Sequence, residues 1–221
     1  MKKLTNTALS LLTFFVLAIL LNGPLKNFNP FPLLKNTRDD YYLVAGSSGL
    51  DPKTFNDTSN FAYSEKDELG RSGQARATIT YEDVFKSMND RGQFKSGDNP
   101  SGFPEKNLKV HIQTTTGLYK GWFYNRSHLI ADSLGGVAES YNAITGTRMQ
   151  NVGNRSNTGG MQYIERKCVD YLKKHRSVKL YYQATPYYRD DELIPRTVEV
   201  KALTSDGAIN ETVITYNTAK G

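Results

Sequence analysis

Apolar residues recur with helical spacing most clearly between Met161 and Arg176. In the stretch MQYIERKCVDYLKKHR, residues Met161, Ile164, Cys168, Tyr171 and Leu172 fall on one face. The pattern predicts a helix. Lys173, Lys174 and His175 occupy its last turn, where cations suit the negative end of the helix dipole. Elsewhere the pattern is that of strands. LKVHIQT and LYKGWFY flank the turn residues TTG and predict a strand pair. SVKLYYQATPYY, TVEVKALTS and AINETVITYN predict three more strands, with SDG as a hairpin turn between the last two. TITYEDVFKSMND predicts a short strand or turn and then a helix. Strands, then helices, then strands again imply an α+β domain of antiparallel sheet flanked by helices.

The N-terminus has a different pattern. Lys2 and Lys3 precede an apolar run from Ala8 to Leu21, 14 residues without a charge. This is the layout of a secretory signal, and residues 1–23 are expected to be that signal or, if uncleaved, a membrane anchor. Residues 24–45, with Pro24, Pro30 and Pro32, are expected to be linker. The folded domain is expected over 46–221. Export predicts a secreted protein, the alternative being attachment to the outer face of the cell membrane. Cys168 is the single cysteine, so no internal disulfide can form.

Charge narrows the choice of partner. The chain carries a formal +6, but four of its lysines lie in residues 1–35, which leaves +2 for the remainder. From Leu118 to Leu180 there are ten Lys/Arg against four acids. A basic face on an otherwise near-neutral protein suits a polyanion. Arg148 and Arg155 lie within this stretch as candidate nucleic-acid contacts.

Three features carry candidate chemistry. Arg126 and His128, in YNRSHLIADSLGG, are two residues apart and project from the same face of an extended strand. A neutral imidazole beside a permanent cation resists protonation, which suits a general base, and a guanidinium fork binds phosphate oxygens. In YNAITGTRMQN, Thr147 can cap a helix that runs through Asn151. An amide oxygen is a hard, neutral ligand that leaves a bound Mg²⁺ its full Lewis acidity. Glu165 falls inside the apolar stripe of the predicted helix, between Met161, Cys168 and Leu172. A carboxylate there requires a partner, either a cation or water around a metal. His111 and His175 are expected to be structural. The chain has no H-E-x-x-H, no zinc-spaced cysteines, no Walker loop and no G-x-S-x-G elbow.

NRSHLIADSLGG, YNAITGTRMQN and GGMQYIERK together resemble the DNA/RNA non-specific endonucleases of the ββα-metal (His-Me) finger superfamily. The likeness is greatest to streptococcal secreted and surface nucleases of the streptodornase type. It extends from about Leu69-Gly70-Arg71 to the C-terminus and is strongest from Trp122 to Leu172. The family's D-R-G-H motif stands here as N-R-S-H. The resemblance implies that His128 is the base, Arg126 the phosphate clamp and Asn151 the metal ligand. It further implies that Asn142 steadies the finger and Glu165 supports the metal's waters. The implied activity is Mg²⁺-dependent hydrolysis of DNA, and of RNA as well, with Mn²⁺ as a substitute and no small-molecule cofactor. A rival expectation is a nucleic-acid-binding module whose finger has decayed.

Overall fold

The computed structural model describes residues 40–218. The expected signal or anchor, and the expected linker as far as residue 39, lie outside the described residues. The strands are β1 (Tyr42–Gly46), β2 (Asn60–Tyr63) and β3 (Ala75–Ile79), followed by helix α1 (Tyr81–Asn89). Next come β4 (Lys109–Thr114), β5 (Gly117–Trp122), β6 (Tyr124–His128) and β7 (Ala143–Thr147). Helices α2 (Arg148–Val152) and α3 (Gln162–Lys174) follow, and then β8 (Leu180–Tyr187), β9 (Thr197–Thr204) and β10 (Asn210–Tyr216).

Six strands form one antiparallel sheet in the order β1-β10-β9-β8-β3-β2. Burial alternates along β9, with Val198, Val200, Ala202 and Thr204 inward, as a half-covered sheet requires. That inner face meets the apolar stripe of α3, where Met161, Ile164, Cys168 and Leu172 are all fully buried. The opposite face is crossed by the 51–57 segment. Phe55 packs on Tyr181, and the Thr78 hydroxyl donates to the Asn56 carbonyl. The expected α+β architecture on antiparallel sheet is present.

The sheet begins earlier than the expected boundary at residue 46. Tyr42, Leu43 and Val44 pair with Thr215, Ile214 and Val213 of β10, so these residues belong to the domain and not to the linker. The Tyr42 ring stacks on Tyr163 of α3 at 4.1 Å, which ties the strand to the core. Asp83 fixes the start of α1 by accepting hydrogen bonds from the Thr80 N–H and hydroxyl at 2.8 and 2.9 Å.

Two small sheets stand beside the main one, β4–β5 and β6–β7. The β4–β5 hairpin packs Val110, Ile112 and Tyr119 over Tyr41, Met149 and Phe123. The β6–β7 pair leads directly into α2 and forms the ββα unit described next.

Candidate active site

β6 and β7 pair antiparallel, with Tyr124 opposite Thr147 and His128 opposite Ala143. The loop between them is held from inside by Asn142, which is fully buried. Its amide oxygen accepts from the Ile130 N–H at 2.9 Å, and its amide nitrogen donates to the Ile130 and Val137 carbonyls at 3.0 and 2.9 Å. Gly136 allows the loop to close, because a Cβ there would run into the Ile130 carbonyl. Gly146 has a similar role between the strands, where an added Cβ would lie 2.6 Å from the Ser127 Cβ. The Thr147 hydroxyl then accepts from the Gln150 N–H at 3.0 Å and caps α2, the helix that carries Asn151.

The alternation of β6 sorts its side chains into two environments. Arg126 and His128 share an aromatic platform. The His128 ring lies 4.8 Å from Phe94, and the Arg126 guanidinium lies over Phe94 and Phe103 at 5.3 and 5.5 Å. Arg126 Nε donates to Asn99 Oδ1 at 2.9 Å. Among the described residues Arg126 has no carboxylate partner, and its terminal nitrogens make no hydrogen bond. The loop bearing Phe94 is tethered where the Gly92 N–H donates to Asp132 Oδ1 at 3.0 Å. Burial holds the His128 pKa below its ordinary 6.5, opposed in part by the charge of Asp132. His128 Nε2 is sealed from solvent and lacks a hydrogen-bond partner among the described residues.

Ser127 points the other way and is fully buried. Its hydroxyl lies 3.3 Å from Asn151 Oδ1 and 3.9 Å from Met161 Sδ. The Met161 N–H donates to the Gln150 carbonyl at 2.9 Å, which fixes the start of α3 against α2. Glu165 follows one turn later. It is 5 % exposed, and no described residue hydrogen-bonds or ion-pairs with its carboxylate. Burial pushes its pKa from 4.5 up to about 8. Nearby, the Tyr182 hydroxyl is also buried without a partner, and the charge of Glu165 helps raise its pKa.

These residues fit a hard divalent cation held largely by water. Among the described residues no group of three His, Cys, Asp or Glu could hold a metal, which does not fit a closed zinc site. The Asn151 amide oxygen on α2 is a hard, neutral ligand, and Glu165, one turn after Met161 on α3, is a carboxylate able to act through water around such a cation.

The two remaining candidates lie elsewhere. Arg148 follows Thr147, at the opposite end of the β6–β7 pair from His128. It lies 5.0 Å over Tyr119 and donates to Asn157 Oδ1. Arg155 is exposed, and its backbone N–H donates to Thr114 Oγ1 at 3.2 Å. Both therefore flank the β4–β5 hairpin. Arg71 is structural, joining Asp67 at 2.6 Å to the Asp190 carbonyl at 2.7 Å. His175 stacks on Tyr171, and His111 is exposed in β4. Phe94, Phe103 and Asn99 were not foreseen. They lie in loops without periodicity, and only their nearness to Arg126 and His128 reveals them.

Residues 52–206 match the family profile described as DNA/RNA non-specific endonuclease. The chain is 36% identical over 229 aligned residues to a deoxyribonuclease of Streptococcus dysgalactiae subsp. equisimilis, covering 82% of this chain and 69% of that protein. It is similar to the solved structure of Sda1 nuclease with bound zinc ion, at 37% identity and a TM-score of 0.79, covering 85% of this chain and 94% of that one. NucA from Streptococcus agalactiae with magnesium ion bound shares the fold at 20% identity and a TM-score of 0.57, covering 78% and 76% of the two chains.

The raised pKa of Glu165 makes stability depend on pH. The folded chain binds this proton more tightly than the unfolded chain, so the contribution is complete below about 4.5 and is lost as pH rises towards about 8. Glu165→Gln keeps the shape and removes the charge. In chelator the variant should unfold at nearly the same denaturant concentration as wild type at pH 5, and should be more stable by about 3–5 kcal/mol at pH 8. Parallel pH profiles for the two proteins would show that the carboxylate is compensated.

Proposed function

The chain belongs to the DNA/RNA non-specific endonuclease family, and from that premise we propose that it is an exported, divalent-metal-dependent enzyme that cleaves DNA, and RNA as well, with His128 as general base. One observation carries the proposal: Arg126 and His128 share one face of β6 and one aromatic platform, and among the described residues no carboxylate pairs with Arg126. A phosphodiester would supply the negative partner that the Arg126 guanidinium lacks.

In this mechanism His128 takes a proton from water. Its lowered pKa keeps the ring neutral and ready near pH 7. The hydroxide forms a bond to phosphorus as the bond to the 3′ oxygen breaks in line, and that oxygen is protonated by solvent. The terminal nitrogens of Arg126 hold a phosphate oxygen in their planar fork. Asn151 would hold a divalent cation, whose positive charge would stabilise the negative charge that grows on the phosphate and the leaving oxygen. Ser127 and Asn151 lie in contact, which fixes the amide. Glu165 orients water around that position. Asn142 keeps the loop after His128 rigid through its three hydrogen bonds. Mg²⁺ is the expected cation, with Mn²⁺ able to replace it, because a single neutral oxygen leaves most positions to water. The nucleophile is water, so no 2′-hydroxyl is needed and DNA serves as well as RNA. The contacts are to phosphate rather than base edges, which gives little sequence preference.

Plasmid incubated with the chain should be nicked and then linearised in Mg²⁺, and should stay intact in chelator. His128→Ala should slow cleavage by ~10²–10⁴-fold while still binding DNA, and Asn151→Ala should flatten the magnesium titration. Tight plasmid binding without cleavage in any divalent cation would instead identify a binding module.

Export is proposed from the basic start and apolar run of the N-terminus. The active protein should be recovered outside the cell with its N-terminus between Asn22 and Asn36. Recovery only in membranes with Met1 retained would favour the anchored form.

A further inference from the structure

The β4–β5 hairpin has two unlike faces. Its inner face is apolar and covers Tyr41 and Met149. Its outer face displays Lys109, His111, Gln113, Leu118, Lys120 and Trp122, all exposed. The register sets Lys109 opposite Trp122 and His111 opposite Lys120, so the cations and the ring form one continuous surface. Trp122 is 50% exposed, and Lys109 Nζ lies 5.0 Å from the ring centroid. Between Glu105 and Asp132 the sequence contains no carboxylate, so neither strand neutralises these lysines.

We propose that this outer face is an accessory site for a single strand of nucleic acid, with an unpaired base stacked on Trp122 and phosphates beside Lys109 and Lys120. The inference rests on the nuclease reading above and deepens it by naming the form of substrate held outside the finger. Base–aromatic stacking tolerates any sequence, because every base has a π-face. An exposed cation–π contact is weaker than such a stack, so Lys109 can leave the ring for a phosphate. Only Phe123 separates β5 from β6, so Trp122 lies at most ~20 Å of extended chain from His128. Roughly six nucleotides at about 3.4 Å each span that distance.

Trp122 is the single tryptophan of the chain, so its fluorescence reports on this face alone. The full chain is titrated in chelator with an oligothymidylate of about twelve nucleotides, a length chosen to exceed that span. Tryptophan emission should be quenched saturably, with the same midpoint as the anisotropy of a labelled copy of the oligomer. Trp122→Ala should weaken binding roughly 5- to 100-fold, and Trp122→Phe should restore most of it. Replacing Lys109 and Lys120 together by Gln should reduce the slope of log affinity against log salt by about 1.4. If anisotropy shows binding while emission is unchanged and Trp122→Ala binds normally, the inference is overturned and the nuclease reading stands. Quenching by duplex alone would also overturn it. Absence of both binding and plasmid cleavage would overturn the two together.

Discussion

A carboxyl group is buried in the core of this protein, and no cation among the described residues pairs with it. Glu165 lies on the apolar face of α3, among residues that are fully buried, and its pKa is pushed up to about 8. Ionising a carboxyl in such a place costs several kcal/mol, so the group holds its proton up to about pH 8, whereas an apolar residue of similar size would carry no such cost. The helix is otherwise regular, with a continuous apolar stripe and basic residues in its last turn. One position breaks its logic, and that position follows the point where α2 and α3 join. The placement is understandable if positive charge brought to the site during function draws the proton off. The Tyr182 hydroxyl, close enough for the charge of Glu165 to raise its pKa, is buried and has no hydrogen-bond partner among the described residues.

The strand β6 divides the remaining work by its pleat. Its two outward residues, Arg126 and His128, share Phe94 and face the loop around residues 91–103. The residue between them, Ser127, turns inward to Asn151 and Met161. A shift of one residue in register against β7 would exchange the two sets and destroy both. Gly146 permits the close pairing, and Asn142 holds the loop that follows His128. The proposed base and the proposed metal ligand are thus placed by backbone pairing rather than by flexible side chains.

The longer elements were legible in the sequence because their periodicity is strong. Helix α3 and strands β4, β8, β9 and β10 lie within the expected segments, β5 begins one residue earlier than expected, at Gly117, and Thr147 caps α2 as expected. Shorter elements were hidden for particular reasons. β7 is buried along its whole length, so AITGT shows no alternation. β1 follows a proline-rich stretch and is a strand only because β10 pairs with it. β2 has four residues. Glu165 stood out from helix phase alone, because a charge in an apolar stripe conflicts with its surroundings. Phe94 and Asn99 gave no such signal, since nothing in RGQFKSGDN relates them to a histidine some thirty positions on. Arg148 and Arg155 were read from local charge as nucleic-acid contacts; Arg148 opens α2 beneath Tyr119, and the Arg155 backbone bonds to Thr114 of the β4–β5 hairpin.

The central claim is that a divalent cation enters with a single direct protein ligand, Asn151, while Glu165 acts through water. Anomalous diffraction from crystals grown with Mn²⁺ tests this most directly. The expected result is one strong peak in contact with Asn151 Oδ1, at about 2.1 Å by analogy with Mg²⁺, and separated from the Glu165 carboxylate by a water. A peak bound directly by Glu165, or one away from α2, would contradict the account.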